Sequence, residues 1–262
     1  MEYKFKKENY NFWLERLKKN EEKQVCTNDI LLDEIESEQI LKNLKNNCKV
    51  LEVGCGHGLL YKQIKNKYNN VSYTGFDFVD ELINHINQSK IDETDTFLSL
   101  DMTEINKETF DKKFDFIISK RAVQNVLEEE YQLSIIDNLG YNLEDNGVMA
   151  LVESSSNAQK NINEIRKKNN LDIIKPPFHN LFFDDEKIKM HDFKNIELVK
   201  IDPFASDFYY ITRLIYALYS KNFLNEIPSF DHPLQKVARQ LGSNKFTKKF
   251  SQIQTYYFKK KL

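Results

Sequence analysis

The stretch Cys48-Lys49-Val50-Leu51-Glu52-Val53-Gly54-Cys55-Gly56-His57-Gly58 decides the fold. Its apolar run is long enough for one buried parallel strand, and three glycines at alternate positions then end that run. Because glycine has no Cβ, the backbone can turn sharply there and approach a ligand closely, while the following helix presents free N–H groups. The stretch therefore predicts a strand, a tight turn and a helix that form a nucleotide-type binding site.

The glycine turn departs in two respects from G-x-G-x-x-G, the dinucleotide pattern. The third glycine, Gly58, comes one residue early, and Leu59 stands in the expected place. Glu52 lies two residues before the first glycine, where a pyrophosphate would meet a like charge but a cationic amino-acid ligand would not. A nicotinamide oxidoreductase is therefore disfavoured as an alternative, and a glycine turn without any ligand is the structural alternative.

The pattern Glu52-Val-Gly-Cys-Gly-His-Gly58 resembles motif I of the class I methyltransferases that use S-adenosylmethionine (SAM). In that family the turn glycines pass beneath the methionine and ribose portions of SAM. The resemblance implies that Glu52, Gly54, Cys55 and Gly56 contact SAM, and that S-adenosylhomocysteine (SAH) is the product.

Length and composition limit the remaining possibilities. The 262 residues, 40% of them hydrophobic, suit one large α/β domain and exclude a disordered chain. A formal charge of −2 argues against a nucleic-acid partner, because phosphate-tracking proteins need a basic surface. No apolar run approaches the length of a transmembrane helix, and the charged N-terminus lacks a signal-peptide segment. We expect a cytoplasmic protein without a membrane partner.

The cysteines and histidines show no metal-binding pattern. Cys26, Cys48 and Cys55 make an odd count without C-x-x-C spacing, as expected of reduced thiols. The five histidines lack the spacing of metal ligands. We expect no metal.

Periodicity predicts the remaining elements, with the glycine stretch as strand one. The predicted strands two to seven cover residues 71–78, 96–102, 114–121, 148–153, 196–202 and 253–258. The predicted helices cover residues 8–24, 29–46, 59–67, 79–88 and 128–143, the last interrupted near Gly140 and followed by a loop at 144–147.

This alternation predicts a Rossmann-like α/β fold with helices on both faces of the sheet. The family resemblance implies the strand order 3-2-1-4-5-7-6, with the last strand antiparallel. We expect one methyltransferase domain over residues 1–262, with N-terminal helices in 8–46. Residues 155–193 and 203–250 exceed what simple crossovers need, and we expect these inserts to form a substrate cap.

Acidic residues end two further strands on the edge where α/β proteins bind ligands. Asp77 lies about twenty residues beyond the glycines, where this architecture places an acid on ribose hydroxyls; capping of the helix over 79–88 is the alternative. In the resembling family, the acid corresponding to Asp101 accepts the adenine amino hydrogen. Phe78 and Met102 are then expected on the faces of the adenine.

Two more cofactor contacts are expected outside these strand ends. Trp13 and Arg16 lie one helical turn apart, and similar W-x-x-R segments of the family place the arginine near the SAM carboxylate. A solvated arginine on a surface helix is the alternative. Ser119 lies where strand four gives way to polar residues at the ligand edge.

The few arginines suggest an anionic acceptor. Lysine is the default cation of this chain, which has only five arginines, and arginine binds phosphate or carboxylate bidentately. Three of them, Arg121, Arg166 and Arg213, follow strands on the ligand edge. We expect these three to bind substrate, although Arg166 in a polar helix could simply be solvated.

A second resemblance, to one subgroup of these methyltransferases, covers most of residues 48–258. The segments Glu153-Ser-Ser-Ser, Asn163-Glu-Ile-Arg166, Pro176-Pro-Phe-His179-Asn180 and Tyr209-Tyr210 resemble a methyltransferase subgroup associated with bacterial capsule and surface-polysaccharide biosynthesis. It implies substrate contacts from His179, Asn180, Tyr209 and Tyr210. A capped turn with a structural histidine, and packing tyrosines, are the alternatives.

The expected reaction is in-line O-methyl transfer in which positioning and electrostatics supply most of the catalysis. The expected acceptor is an anionic, phosphorylated precursor of a surface polysaccharide, possessing a phosphate-type or phosphoramidate oxygen. A sugar hydroxyl is the main alternative acceptor, and a non-catalytic SAM-binding protein is the alternative function. A hydroxyl needs a general base, for which His179 is the first candidate and Glu153 the reserve.

Overall fold

The structure, a computed structural model, describes residues 6–19, 25–241, 247 and 249–261. Its seven strands are β1 (Lys49–Val53), β2 (Ser72–Asp77), β3 (Thr96–Ser99), β4 (Phe114–Lys120), β5 (Leu143–Ser154), β6 (Ile196–Asp202) and β7 (Ile253–Lys260). Its α-helices are α1 (Lys6–Lys19), α2 (Ile30–Leu41), α3 (Leu59–Lys67), α4 (Asp80–Gln88), α5 (Glu129–Tyr141), α6 (Ser156–Lys168), α7 (Asp185–Met190), α8 (Ser206–Tyr210), α9 (Tyr216–Tyr219) and α10 (Pro233–Leu241).

The strands form one sheet in the order β3-β2-β1-β4-β5-β7-β6. The first five strands run parallel, and β7 pairs antiparallel with both β5 and β6. The predicted fold, strand order and antiparallel last strand are confirmed. The carboxyl ends of β1, β2 and β4 meet at one edge, where the glycine turn follows β1.

The core is divided by the sheet. Because side chains alternate along a strand, Val50 packs into one cluster while Leu51 and Val53 pack into the other. The first cluster contains residues of α2, α3, α6 and α8, and the second contains residues of α5 and α7. All four residues of β1 after Lys49 are buried, as expected of a central parallel strand.

Two predictions about local structure were wrong. The predicted break near Gly140 is absent, because α5 continues through this glycine and packs closely on β6; a Cβ at Gly140 would lie 2.8 Å from Ile196 Cγ2. The predicted loop at 144–147 belongs to β5, whose pairing with β4 shifts register between Phe114 and Phe116. Of the predicted helix 8–24, residues 8–19 belong to α1, and residues 20–24 lie outside the described part of the chain.

The two inserts are mainly helical. The first contains α6 and α7 joined by an extended segment with the two prolines. The second contains α8, a π-helical turn at Ile211–Ile215, α9 and another π-helical turn at Ser220–Leu224, then α10. Residues 242–246 and 248, which the predicted insert 203–250 includes, lie outside the described residues. Among the described helices, none is both long enough and apolar enough to cross a bilayer.

Candidate active site

A cavity of about 260 Å³ opens at the carboxyl ends of β1, β2 and β4. Its floor is formed by the glycine turn, the end of β2 and the segment that follows β4. The opposite side is formed by α1, by residues 26–28 and by residues 177–180 of the first insert. No described residue of the second insert lines this cavity, so the expected cap is formed by α1 and the first insert.

The turn after β1 requires its glycines. Gly54 and Gly56 line the cavity with φ values of 66° and 55°, which side chains rarely allow. A Cβ on Gly54 would lie 2.3 Å from Ala122 Cβ, and one on Gly56 would lie 2.9 Å from Cys26 Sγ. The expected reason for these glycines was a ligand passing above them, but neighbouring parts of the protein already exclude a side chain.

Asp77 lies at the end of β2 and connects the glycine turn to α4. Its Oδ2 accepts a hydrogen bond from Gly56 N and its Oδ1 accepts one from Val79 N, each at 3.0 Å. The residue is buried but lines the cavity, and burial raises its pKa to about 6. An ionised carboxylate has about four acceptor positions, so Asp77 retains capacity for ligand hydroxyls.

Phe78 and Met102 also line the main cavity and, with Asp101, a narrow side cavity of about 30 Å³. Asp101 Oδ1 accepts hydrogen bonds from Thr103 N at 2.9 Å and Thr103 Oγ1 at 2.8 Å. Asp101 Oδ2 lies 2.8 Å from Lys6 Nζ of α1. An aromatic ring, a thioether and a carboxylate thus surround one narrow space covered by α1.

Three other residues predicted to bind the cofactor are buried and do not line the cavity. Glu52 accepts a hydrogen bond from the hydroxyl of Tyr73, and burial raises its pKa to about 7. Cys55 packs against Gly75, where an added Cβ would lie 3.1 Å from the thiol sulfur. Ser119 donates a hydrogen bond to Glu153 Oε1 at 2.5 Å. These residues shape the site from behind the turn and β4.

Glu153, the expected reserve base, is fully buried at the end of β5 and lies outside the cavity lining. Besides the Ser119 hydroxyl, it accepts hydrogen bonds from the backbone N–H groups of Ala122, Val123 and Gln124 at 3.1–3.2 Å. Burial raises its pKa to about 7, and these hydrogen bonds oppose the rise. The geometry suits holding the segment after β4 in place more than exchanging protons with a ligand.

The cations at the end of β4 are paired with acids of α2. Lys120 Nζ lies 2.8 Å from Asp33, and Arg121 contacts Asp33 at 3.2 Å and Glu36 at 3.0 Å. Burial opposes the charge of Arg121, but both acids raise its pKa. Burial raises the pKa of Glu36 to about 7 against the pull of Arg121. Arg121 thus lines the cavity as part of a cluster of two cations and two acids.

The other two arginines expected to bind substrate hold the inserts together. Arg166 donates to the carbonyl oxygens of Asp172 and Arg213, and Arg213 pairs with Asp29 at 2.7 Å. Neither arginine lines the cavity. Of the three arginines expected to bind substrate, only Arg121 lines the cavity.

Tyr209 and Tyr210 also lie outside the cavity lining. Tyr209 is buried beneath the guanidinium of Arg213, whose Cζ is 5.5 Å from its ring centroid. Tyr210 packs on Phe250, with ring centroids 5.3 Å apart. In this structure both tyrosines support the packing of the second insert.

His179 and Asn180 line the cavity, as expected of substrate contacts. The ring of His179 stacks on Phe12 with centroids 4.1 Å apart and meets Trp13 edge-on at 5.5 Å. Burial, with the nearby charge of Arg16, lowers the pKa of His179 to about 4. The imidazole is therefore neutral at pH 7, and so low a pKa makes it a weak general base.

Arg16 lines the cavity from α1. It donates hydrogen bonds to Val25 O at 2.6 Å and Asn28 Oδ1 at 3.1 Å. These contacts fix its guanidinium beside the segment of residues 26–28, within reach of an anionic group in the cavity.

Several lining residues were not predicted from the sequence. Phe12, Lys120, Gln124 and Asn125 carry no motif of their own, and the segment 26–28 lies between two predicted helices. Their only signal was proximity in sequence to Trp13, Arg16 and the end of strand four. Among the described residues, no group of three or more His, Cys, Asp or Glu could hold a metal ion.

The sheet order and a ligand cavity at the end of β1 define a Rossmann-like methyltransferase fold. A family model described as a methyltransferase domain matches residues 44–182, more than half of the chain. The chain therefore belongs to this methyltransferase family. No curated protein matches the chain.

Solved structures share the fold at low sequence identity. A TehB-like SAM-dependent methyltransferase from Corynebacterium glutamicum has a TM-score of 0.51 and 15% identity, covering 87% of this chain and 88% of its own. A putative methyltransferase solved with the Trm112 activator of Haloferax volcanii has a TM-score of 0.57 and 11% identity, covering 96% of each chain. The mycolic acid cyclopropane synthase CmaA1, solved with SAH and CTAB, has a TM-score of 0.50 and 15% identity, covering 98% and 94%.

Proposed function

We propose that the protein binds SAM in the cavity at the end of β1 and transfers its methyl group to a small-molecule acceptor. The observation that carries this proposal is the convergence of Asp77, Phe78 and Met102 beside the glycine turn. Asp77 retains acceptor capacity for ribose hydroxyls, and Phe78 and Met102 form a narrow slot with Asp101 that suits an adenine. Arg16 lies where it can pair with the carboxylate of SAM.

The cofactor would supply a methyl group activated by a sulfonium, and the protein would position the acceptor and exclude water. The structural likeness to a cyclopropane synthase solved with SAH supports this choice of cofactor. The third glycine of the dinucleotide pattern is missing from the turn, which disfavours a nicotinamide cofactor. A protein that binds SAM without turnover is the alternative function.

The acceptor would lie between the segment after β4 and residues 177–180, beside Phe12 and Trp13. Lys120 and Arg121 are paired with Asp33 and Glu36, so this part of the cavity offers little uncompensated positive charge. This pairing favours the neutral acceptor, a hydroxyl, over the phosphorylated one. The resemblance of the segments around Glu153, Arg166 and His179 supports an O-methyl transfer to a precursor of capsule or surface polysaccharide.

The test is a methyl-transfer assay with purified protein, methyl-labelled SAM and matched acceptors, each neutral sugar being paired with its phosphate ester. We expect methylation of a neutral sugar with release of SAH. Methylation of phosphate esters alone would instead support an anionic acceptor. SAM binding without turnover on any member of the panel, or on extracts containing polysaccharide precursors, would support the non-catalytic alternative.

A further inference from the structure

The loop that covers the cavity contains two buried polar atoms that the protein leaves without a hydrogen-bond partner. His179 Nδ1 and Asn180 Oδ1 are buried and have no hydrogen-bond partner among the described residues. Both residues line the main cavity. A buried acceptor without a donor has lost its hydration with nothing in exchange, which is unfavourable unless a ligand supplies the donor.

The loop that carries these two atoms is held in place by backbone hydrogen bonds and by aromatic packing. Asn180 N donates to Pro177 O at 3.0 Å, and Leu181 N donates to Gln124 O at 2.7 Å. The ring of His179 is stacked on Phe12 and also contacts Trp13. The backbone bonds therefore fix the loop beside the cavity, and the aromatic packing fixes the ring of His179.

The chemistry of these two groups selects against an anion. The depressed pKa of His179 leaves its imidazole neutral at pH 7, and in the tautomer protonated at Nε2 the Nδ1 atom accepts a hydrogen bond. An ionised phosphate or carboxylate has only acceptors to offer. It would leave Asn180 Oδ1 unpaired. Lys120 and Arg121 are already paired with acids of α2, and Arg16, whose charge acts on His179, is assigned to the carboxylate of SAM in the proposed function.

We propose that the methyl acceptor is a neutral molecule that presents two hydrogen-bond donors on one edge, such as neighbouring hydroxyls of a ring, to His179 Nδ1 and Asn180 Oδ1. The rings of Phe12 and Trp13 cover its apolar face. This inference deepens the proposed function and rests on it, because it assumes that the rest of the cavity holds SAM.

Three small probes with the same ring test the inference on the SAH-saturated full-length protein: cis-1,2-cyclohexanediol, cyclohexanol and cyclohexyl phosphate. Ligand-observed NMR titration gives their affinities. We expect the diol to bind about tenfold more tightly than cyclohexanol, because the mono-ol leaves one acceptor unpaired. We expect the phosphate ester to bind no better than cyclohexanol.

Two substitutions with similar side-chain size separate the role of the acceptor atom from loop packing. Asn180→Leu removes the acceptor and should abolish the preference for the diol, whereas Asn180→Asp keeps an acceptor oxygen and should retain it. Asn87→Leu, at an exposed position of α4, is the matched control and should behave like the wild type. Calorimetry with SAH, run on each variant, should give unchanged affinity.

Each other outcome contradicts the inference. Failure of the diol to bind, equal affinity for diol and mono-ol, tighter binding of the phosphate ester, or an unchanged preference in Asn180→Leu would overturn it. Loss of SAH affinity in Asn180→Leu would assign the two acceptors to the amino group of the cofactor. Failure of the wild type to bind SAH would instead contradict the proposed function, so the two failures are distinguishable.

Discussion

The turn after β1 needs glycine at position 54, where any side chain would meet Ala122. Gly54→Ala would place a Cβ 2.3 Å from Ala122 Cβ and force an L-residue into a left-handed conformation. The backbone cost is about 1–2 kcal/mol and the overpacking cost about 1–3 kcal/mol. Urea unfolding of the variant should therefore show a loss of about 2–5 kcal/mol.

The double substitution Gly54→Ala with Ala122→Gly separates the two costs. Removing the Ala122 methyl group opens the space that the new Cβ needs, but it leaves the backbone strain. The double variant should regain most of the overpacking cost, which a double-mutant cycle measures. Strict additivity of the two changes would show that the contact with Ala122 is not what requires the glycine.

Glu52 predicts a dependence of stability on pH. Burial raises its pKa from 4.5 to about 7, so between these values the folded protein binds more protons than the unfolded chain. Its contribution to the free energy of unfolding is fully present below about pH 4.5 and is lost as the pH rises through 7, with an amplitude of about 3 kcal/mol. Glu52→Gln should lose this part of the pH dependence in urea unfolding between pH 5 and 8.

The matched control for Glu52→Gln is Glu164→Gln, at an exposed position of α6. This control should keep the pH dependence of the wild type. Part of that dependence should also persist in Glu52→Gln, because burial raises the pKa values of Glu36 and Glu153 in the same direction. An identical pH dependence in Glu52→Gln and the wild type would contradict the assignment.

The sequence predicted the cavity-lining residues at strand ends better than those in the two inserts. Asp77, Phe78 and Met102 could be predicted to line a site because parallel strands end at one edge of the sheet. Arg166 and Arg213 follow strands too, but helices carry them away from that edge, and their partners are backbone carbonyls and Asp29. Such partners, distant in sequence, leave no local pattern.

The segment after β4 is held in place by one carboxylate, that of Glu153. Glu153→Leu would leave the Ser119 hydroxyl and three backbone N–H groups without their acceptor, which should cost at least about 3 kcal/mol in urea unfolding. Glu153→Gln keeps one acceptor oxygen and should lie between Glu153→Leu and the wild type. SAM affinity should fall in the same order, because Ala122 and Gln124 form part of the cavity floor.

A general-base role for Glu153 would give a different result. Glu153→Gln would then keep wild-type stability and SAM affinity while losing turnover on whatever acceptor the methyl-transfer assay identifies. That combination would contradict the positioning role.

Element boundaries were predictable where periodicity was strong, and β6 begins and ends where the sequence indicates. Gly140 and the segment 144–147 misled the prediction, because glycine and polar residues usually mark breaks. Here tertiary contacts overrode the local preference: Gly140 allows close packing on Ile196, and β4 continues to pair with β5 at Leu143.

The cavity is covered by parts of the chain that lie far apart in sequence. The helix α1 contacts the sheet edge through Lys6 and Asp101, contacts α4 through Tyr10 and Asp80, and contacts the first insert through Phe12 and His179. The second insert instead packs on α2, where Arg239 pairs with Glu34 and Glu38. The sequence predicted extra structure in both inserts but could not say which of them reaches the ligand.

The proposed function requires that SAM occupies the cavity at the end of β1. The decisive measurement is a calorimetric titration of the full-length protein with SAH and, separately, with NAD⁺. We predict saturable binding of SAH at one site per chain and no detectable binding of NAD⁺. Binding of NAD⁺ in place of SAH, or no binding of SAH at all, would contradict the assignment.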